Sequence, residues 1–240
     1  MFVSVSYLHE NLGVDETIAR FFVDRKVPQG NAFWRNRLLY VGWGNGFVSI
    51  PVYYDLLFRI GVPKETLLAE EHVRLMESVM DYAIQVEFRE ISFEDQLQRI
   101  DALFSLAHNM LLKKELLSYL RQHKLKPIGK LGMGYPALNR ADVFLFILCG
   151  LPMSADQTAQ AIRYWYALHP SYLLMDDMID YSKDKDAGEE NAILELGEGP
   201  AGFAAAFGIL ESNIDTLRGI NPVLSHSLEE RMEGLHDLIV

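Results

Sequence analysis

The sequence predicts an all-α protein, built as a single-domain helical bundle over residues 1–240. Apolar residues recur at intervals of three and four through most of the chain, which is the period of an amphipathic helix. No stretch sustains the alternation of apolar and polar residues that is typical of a strand. A chain of 240 residues is long enough to bury one substantial core, and nothing in its composition demands a second.

Capping residues mark the starts of several predicted helices. Asp15 is suited to cap a short helix near the N-terminus, because its side-chain oxygen can accept free backbone N–H groups of the first turn. Ser92 with Asp95, and Ser154 with Gln157, have the spacing of a capping box. We therefore expect helices to begin directly after these three positions.

Two segments are predicted to lie at the centre of the bundle, residues 138–149 and 155–183. The first contains ADVFLFILC, which is apolar on all sides and therefore typical of a buried helix. Pro170 is expected to kink or split the second, because proline removes a backbone donor. Further helices are predicted as one long segment over residues 64–90 and as an apolar face around Trp34 and Leu38.

The charge balance excludes some classes of partner. Asp and Glu together number 33 against 22 Lys and Arg, which gives a formal charge of −11. Nonspecific binding of nucleic acid or of an anionic membrane depends on a positive surface. We therefore expect no nucleic-acid partner, and an anionic ligand would need a local site.

The chain is predicted to be cytoplasmic and to lack a transmembrane segment. Its longest apolar run, residues 143–153, is shorter than the ~20 residues that span a bilayer. The N-terminus has neither the basic segment nor the cleavage site of a secretion signal. Cys149 is the only cysteine, so no internal disulfide can form, and its apolar neighbours predict a small buried side chain.

Four aspartates stand out between residues 171 and 190: Asp176, Asp177, Asp180 and Asp184. Helical spacing predicts that the last three form one stripe, with Asp176 at its edge. Grouped carboxylates repel one another, and Mg²⁺ both relieves this repulsion and prefers oxygen ligands. The stripe therefore predicts a Mg²⁺ site, and the alternative is a solvated acidic face.

This frame resembles the second aspartate-rich motif of the class I isoprenoid synthases, the trans-prenyltransferase and terpenoid synthase group. Asp176, Asp177 and Asp180 match its DDxxD, and Asp184 matches a further aspartate one turn on. The resemblance covers about residues 130–195. It implies a helical bundle of the isoprenoid (terpenoid) synthase type, Mg²⁺ as cofactor and an isoprenoid diphosphate as substrate.

The resemblance also implicates two lysines in substrate binding. Lys130 corresponds to the lysine with which the family contacts the diphosphate, although Leu131 stands where the family has threonine. Lys185 falls in the tail that follows the motif. Leu173 replaces the glutamine that precedes the motif in the family, so this contact is lost.

The first aspartate-rich motif of the family is absent between residues 1 and 125. The nearest substitute is Glu77 with Asp81, an i, i+4 pair on a predicted helix. If the chain is an enzyme, these two carboxylates are the candidates to face Asp176 across a cavity. They are equally consistent with a solvated helix face.

Aromatic residues are clustered at Tyr53–Tyr54 and at residues 164–166. Such rings suit the wall of a pocket for a prenyl chain, because aromatic faces contact apolar chains and stabilise cations. Ordinary core packing explains the same clusters. The sequence leaves both interpretations open.

Three functional hypotheses follow. The first is a Mg²⁺-dependent enzyme that acts on an isoprenoid diphosphate by prenyl transfer or by ionisation and cyclisation, with its catalytic residues unassigned. The second is a non-catalytic isoprenoid-synthase-like subunit that binds lipid diphosphates or regulates an active synthase. The partner expected for the chain is a second copy, in a homodimer, or an active synthase, in a heterodimer. The third is a helical interaction protein whose acidic helix is a surface.

Overall fold

Helices account for most of the computed structural model, which describes residues 3–26, 28–31, 45–122 and 126–239. Within these ranges no β-strand forms, and one isolated bridge pairs Ile128 with Leu131. The all-α fold class is therefore confirmed. The predicted helical face around Trp34 and Leu38 lies outside the described residues.

The α-helices of the described residues are α1 Glu16–Asp24, α2 Asn45–Arg59, α3 Lys64–Leu67, α4 Glu70–Glu87, α5 Phe93–Leu103, α6 Met110–Leu120, α7 Ala155–Ala187, α8 Ala192–Glu195, α9 Gly199–Arg218 and α10 Pro222–Ile239.

The predicted caps are confirmed. Asp15 accepts two backbone N–H groups from the first turn of α1. Ser92 and Asp95 form a complete capping box at the start of α5, and Ser154 and Gln157 form another at the start of α7. In each case the side chain satisfies backbone donors that the helix leaves free.

The apolar segment before α7 is central, as predicted, but it is not an α-helix. It forms two 3-10 helices, Pro136–Asn139 and Asp142–Gly150. A nine-residue 3-10 helix is unusually long, because its side chains eclipse every third residue. Every side chain from Asp142 to Cys149 is buried, and the segment packs against α4 and α6. Tertiary contacts on all sides, rather than helix propensity, therefore set its geometry.

The longest helix, α7, runs without interruption through Pro170. The expected split at this proline is wrong, because α7 is packed against α2 and α9 and Pro170 is itself buried. It ends at Gly188, whose φ of 68° is the left-handed cap that glycine adopts without strain. By contrast, the single helix expected over residues 64–90 is divided into α3 and α4 by extended backbone at Ala69.

The structure bears on two expectations, that the chain lacks a transmembrane segment and that Cys149 is buried. Across the described ranges, no helix combines the length and the apolar character that crossing a bilayer requires. Cys149 is buried, as predicted, and burial raises the pKa of its thiol to about 12. The cytoplasmic location stays a prediction.

Candidate ligand-binding site

A cavity of about 640 Å³ lies between α4, α5, α7 and the two 3-10 helices. This volume falls in the range of ~300–1,000 Å³ that is typical of small-molecule sites. The lining is mainly apolar, and its charged members are Glu87, Arg140 and Glu190. Its apolar side chains include Ile50, Met80, Ile84, Phe93, Val143, Phe144 and Trp165.

Three stacked rings form one wall of the cavity. Phe144 stacks on Trp165 with centroids 5.2 Å apart, and Trp165 stacks on His169 at 4.7 Å with nearly parallel planes. Tyr53 meets Trp165 edge-on at 5.3 Å from behind. Trp165, from the second aromatic cluster in the sequence, therefore lines the cavity. Tyr53, from the first cluster, packs against Trp165.

His169 contributes a neutral ring to this wall. Both of its ring nitrogens are covered by protein, and neither has a hydrogen-bond partner among the described residues. Desolvation, and secondly the charge of Arg140, lower its pKa to about 4. At neutral pH His169 is therefore uncharged and extends the aromatic surface.

A buried carboxylate holds the aromatic wall from the protein side. Asp142 is fully buried and accepts a hydrogen bond from Trp165 Nε1 at 2.9 Å. The hydroxyls of Tyr119 and Tyr166 donate to its other oxygen, each at 2.7 Å. Burial raises the pKa of Asp142 to about 6, although the three donors oppose the rise. These bonds fix the indole ring that faces the cavity.

Two of the four aspartates lie on the same face of α7 as Trp165 and His169, although neither aspartate lines the cavity. Trp165, His169, Asp176 and Asp180 are separated by four, seven and four residues. At 3.6 residues per turn these positions lie within about 60° of one another. At 1.5 Å per residue, Asp176 is about 10 Å beyond His169 along the axis. The apolar wall and the carboxylate pair therefore share one helix face.

Asp176 carries charge that nearby cations do not fully offset, whereas Asp180 lies 4.0 Å from Lys183 Nζ. Asp176 is exposed, and Asp180 is half-buried. Partial burial raises the pKa of Asp176, as do the charges of Asp180 and Asp177, while Arg140 opposes the rise. A divalent cation between the two carboxylates would relieve this repulsion.

Asp177 and Asp184 have a structural role instead. Asp177 is buried and accepts hydrogen bonds from Arg140 Nη2 and from the backbone N–H of Ala192, both at 2.7 Å. The Asn191 amide donates to Asp184 at 2.9 Å and to the Asp177 carbonyl at 2.7 Å. These contacts attach α8 to α7. The single stripe expected from the spacing is thus divided into an outward pair and an inward pair.

Arg140 is the main site residue that sequence reasoning missed. It lines the cavity, and it also donates to the backbone carbonyl of Glu190 at 3.0 Å. Among the described residues that line the cavity it is the one permanent cation. Its position directly before a strongly apolar segment is the signal that points to it, because an arginine there must find a partner as the segment becomes buried.

The two lysines implicated from the sequence lie elsewhere. Lys130 is exposed in a groove beside Arg163, near the N-terminal end of α7. Arg163 and Asp176 are thirteen residues apart, or about 20 Å along the helix. Lys185 pairs with Glu198. Neither lysine is brought to the outward carboxylate pair.

The acidic pair expected on α4 does not line the cavity. Glu77 is buried and accepts from Arg25 at 2.5 and 2.9 Å, beside a separate cleft next to α1. Asp81 accepts from the amide of Gln85 at 2.8 Å. The carboxylate of α4 that lines the cavity is Glu87.

The fit of a metal ion depends on how many ligands the protein must supply. In the part of the chain that the structure describes, no three His, Cys, Asp or Glu side chains converge on one point. Mg²⁺ is usually held by one or two carboxylates, completed by water and substrate phosphate. Asp176 and Asp180 suit that arrangement, in which the ion arrives with a phosphate ligand.

Comparison with protein-family models, with characterised proteins and with solved structures finds no match. The resemblance to isoprenoid synthases therefore rests on the aspartate frame in the sequence. The structural features that bear on function are the cavity, the outward carboxylate pair and Arg140.

Proposed function

We propose that this chain binds an isoprenoid diphosphate, with the tail in the cavity and the diphosphate beside Arg140. Asp176 and Asp180 would hold the Mg²⁺ that accompanies the diphosphate. One observation carries the proposal: the aromatic wall at Trp165 and His169 and the outward carboxylate pair lie on the same face of α7.

The cavity suits an apolar chain. Its wall of stacked rings offers no unpaired charge, because His169 is neutral and the Trp165 N–H is bonded to Asp142. Each methylene that leaves water for such a surface contributes about 0.8 kcal/mol. A chain of ten or more carbons therefore gains enough from burial to determine the orientation of the ligand.

Arg140 is the proposed diphosphate contact, in place of Lys130. A guanidinium has five N–H donors, and Arg140 uses one on Asp177 and one on the Glu190 carbonyl. The remaining donors are available to phosphate oxygens at the end of the cavity, where charge-assisted hydrogen bonds are strong. Asp177 holds the guanidinium in place for this contact.

We propose further that the chain catalyses release of diphosphate from the bound ligand. Mg²⁺ would stabilise the charge of a departing diphosphate as the allylic C–O bond breaks. Arg140 binds the same group, and the aromatic wall faces the cationic carbon chain that remains. The carboxylate available on the opposite helix is Glu87, since Glu77 is bound to Arg25.

A second candidate function is a non-catalytic relative that binds the same ligand, alone or beside an active synthase. It is favoured by the division of the aspartate frame, because Asp177 and Asp184 hold α8 and two carboxylates remain for metal. The third hypothesis, an acidic interaction surface, would be supported by exposed Asp177 and Asp180 with no cavity behind them. Asp180 is partly exposed, but Asp177 is buried and a cavity lies beside α7, so we do not favour it.

Calorimetric titration with farnesyl diphosphate tests the proposal. We expect saturable binding with Mg²⁺, loss of binding on chelation, and loss in the Asp176→Asn, Asp180→Asn double variant. Asp186→Asn is the matched control, because it removes an exposed carboxylate from the same helix outside the pair. Absence of binding by the wild type with Mg²⁺ would overturn the proposal, and release of pyrophosphate would separate the enzyme from the non-catalytic relative.

A further inference from the structure

A second charged site lies at the other end of α7. A groove of about 410 Å³ is lined by Lys130, Arg163, Gln160 and Tyr166. We propose that this groove binds a phosphate group without metal, independently of the carboxylate pair at Asp176. The proposal rests on how the chain presents these two cations, and it does not depend on the proposed function.

A tight turn presents Lys130. Ile128 and Leu131 exchange backbone hydrogen bonds of 2.8 and 2.9 Å, which leaves Gly129 and Lys130 at the tip of the turn. Gly129 has a φ of 59°, a conformation that glycine adopts at little cost. The position of the Lys130 backbone is therefore set by local bonding.

The turn is attached to α7 through Gly132. The backbone N–H of Gly132 donates to the Tyr166 hydroxyl at 2.6 Å, and that hydroxyl donates to the buried Asp142. A Cβ at Gly132 would lie 2.8 Å from the ring of Tyr119, so the turn packs closely on the helical core. This attachment places Lys130 beside the helix that carries Arg163.

Neither Lys130 nor Arg163 has an ion-pair partner among the described residues. The guanidinium of Arg163 rests 6.0 Å from the ring of Tyr164. Asp156 is the acid nearest to the groove along α7, and it accepts from the Gln160 amide at 2.6 Å. The chain has a formal charge of −11, but this groove presents two cations that have no ion-pair partner among the described residues.

A phosphate group matches this arrangement. The arginine fork binds two phosphate oxygens in a fixed geometry, and lysine adds a point charge. The same chemistry is offered by a soluble phosphate compound and by the headgroup of an anionic lipid. Because the groove is about 20 Å from Asp176 along α7, Mg²⁺ held there has no part in this binding.

Backbone amide NMR with inorganic phosphate, in the absence of Mg²⁺, tests the site. We expect saturable shifts at Gly129 and Gly132, and binding about tenfold weaker in Lys130→Ala and in Arg163→Ala. Lys126→Ala is the control, since it removes an exposed lysine of the same segment that does not line the groove. The Asp176→Asn, Asp180→Asn double variant keeps this binding, so failure here and failure of the proposed function are distinguishable.

Vesicles identify the source of the phosphate. Retention on phosphatidic acid vesicles, but not on phosphatidylcholine vesicles, that is lost in Lys130→Ala assigns a lipid headgroup. Phosphate binding without such retention assigns a soluble compound. The site is overturned if the wild type shows no saturable shift, or if Lys126→Ala weakens phosphate binding as much as Lys130→Ala does.

Discussion

Arg140 and Asp177 form an ion pair 2.7 Å long that connects the start of the central 3-10 helix to the aspartate helix. Asp177 is buried and Arg140 is about a quarter exposed, so the guanidinium compensates a charge that water does not reach. The pair holds together the cavity wall, the aspartate helix and, through the Ala192 N–H, the helix that follows. The same arginine serves the fold and faces the proposed ligand.

Replacing Arg140 by alanine should destabilise the protein by about 3 kcal/mol, because it leaves the Asp177 carboxylate buried without its cation. Urea unfolding measures the change. Arg121→Ala is the control, since it breaks an exposed pair with Glu94 and should cost less than about 1 kcal/mol. Equal effects of the two substitutions would show that the Asp177 pair has no special role.

Asp142 should make stability depend on pH. Its folded pKa of about 6 exceeds the ordinary value of 3.8, so the folded state binds the proton more tightly. This contribution is complete below pH 3.8 and is lost as pH rises through 6, a change on the order of 3 kcal/mol. Asp142→Asn removes the titration, so the stability difference between wild type and variant should shift by that amount between pH 4 and 7.

The comparison with Asp142→Asn is needed because two buried histidines act in the opposite direction. Burial lowers the pKa of His72 and of His169 to about 4, so their contribution is complete above pH 6.5 and is lost on acidification. Both histidines are present in wild type and variant, and they cancel in the difference. A difference that stays constant across this pH range would contradict the account of Asp142.

Gly132→Ala should destabilise the turn that carries Lys130, by about 1–3 kcal/mol. The φ of Gly132 is 85°, and an added Cβ would meet the Tyr119 ring at 2.8 Å. Gly134→Ala is the matched control, because a Cβ there meets nothing within 4 Å. Thermal unfolding compares the two variants, and the account of the turn fails if Gly134→Ala is as destabilising as Gly132→Ala.

Local chemistry made part of the fold predictable. The caps at Ser92 and Ser154 form as predicted, because each depends on residues only three positions apart. The spacing of the aspartates correctly placed them on one helix. It did not show which of them face inward, because Asn191 and the Ala192 N–H that bind the inward pair come from a later segment.

The rest of the site depends on contacts between distant parts of the chain. Arg140 reaches Asp177 across 37 residues, and Arg25 binds Glu77 across 52. Helical period alone assigns Glu77 to one face of α4, but it does not show that Arg25 packs against that face. For the same reason the sequence did not show that Lys130 lies beside Arg163, toward the opposite end of α7 from Asp176.

The most direct test of the central claim is a crystal structure of the chain grown with Mg²⁺ and a non-hydrolysable farnesyl diphosphate analogue. We predict Mg²⁺ at Asp176 and Asp180, the diphosphate against Arg140, and the prenyl chain along Phe144, Trp165 and His169. Density for the analogue at another place, or an empty cavity at saturating analogue, would contradict the claim.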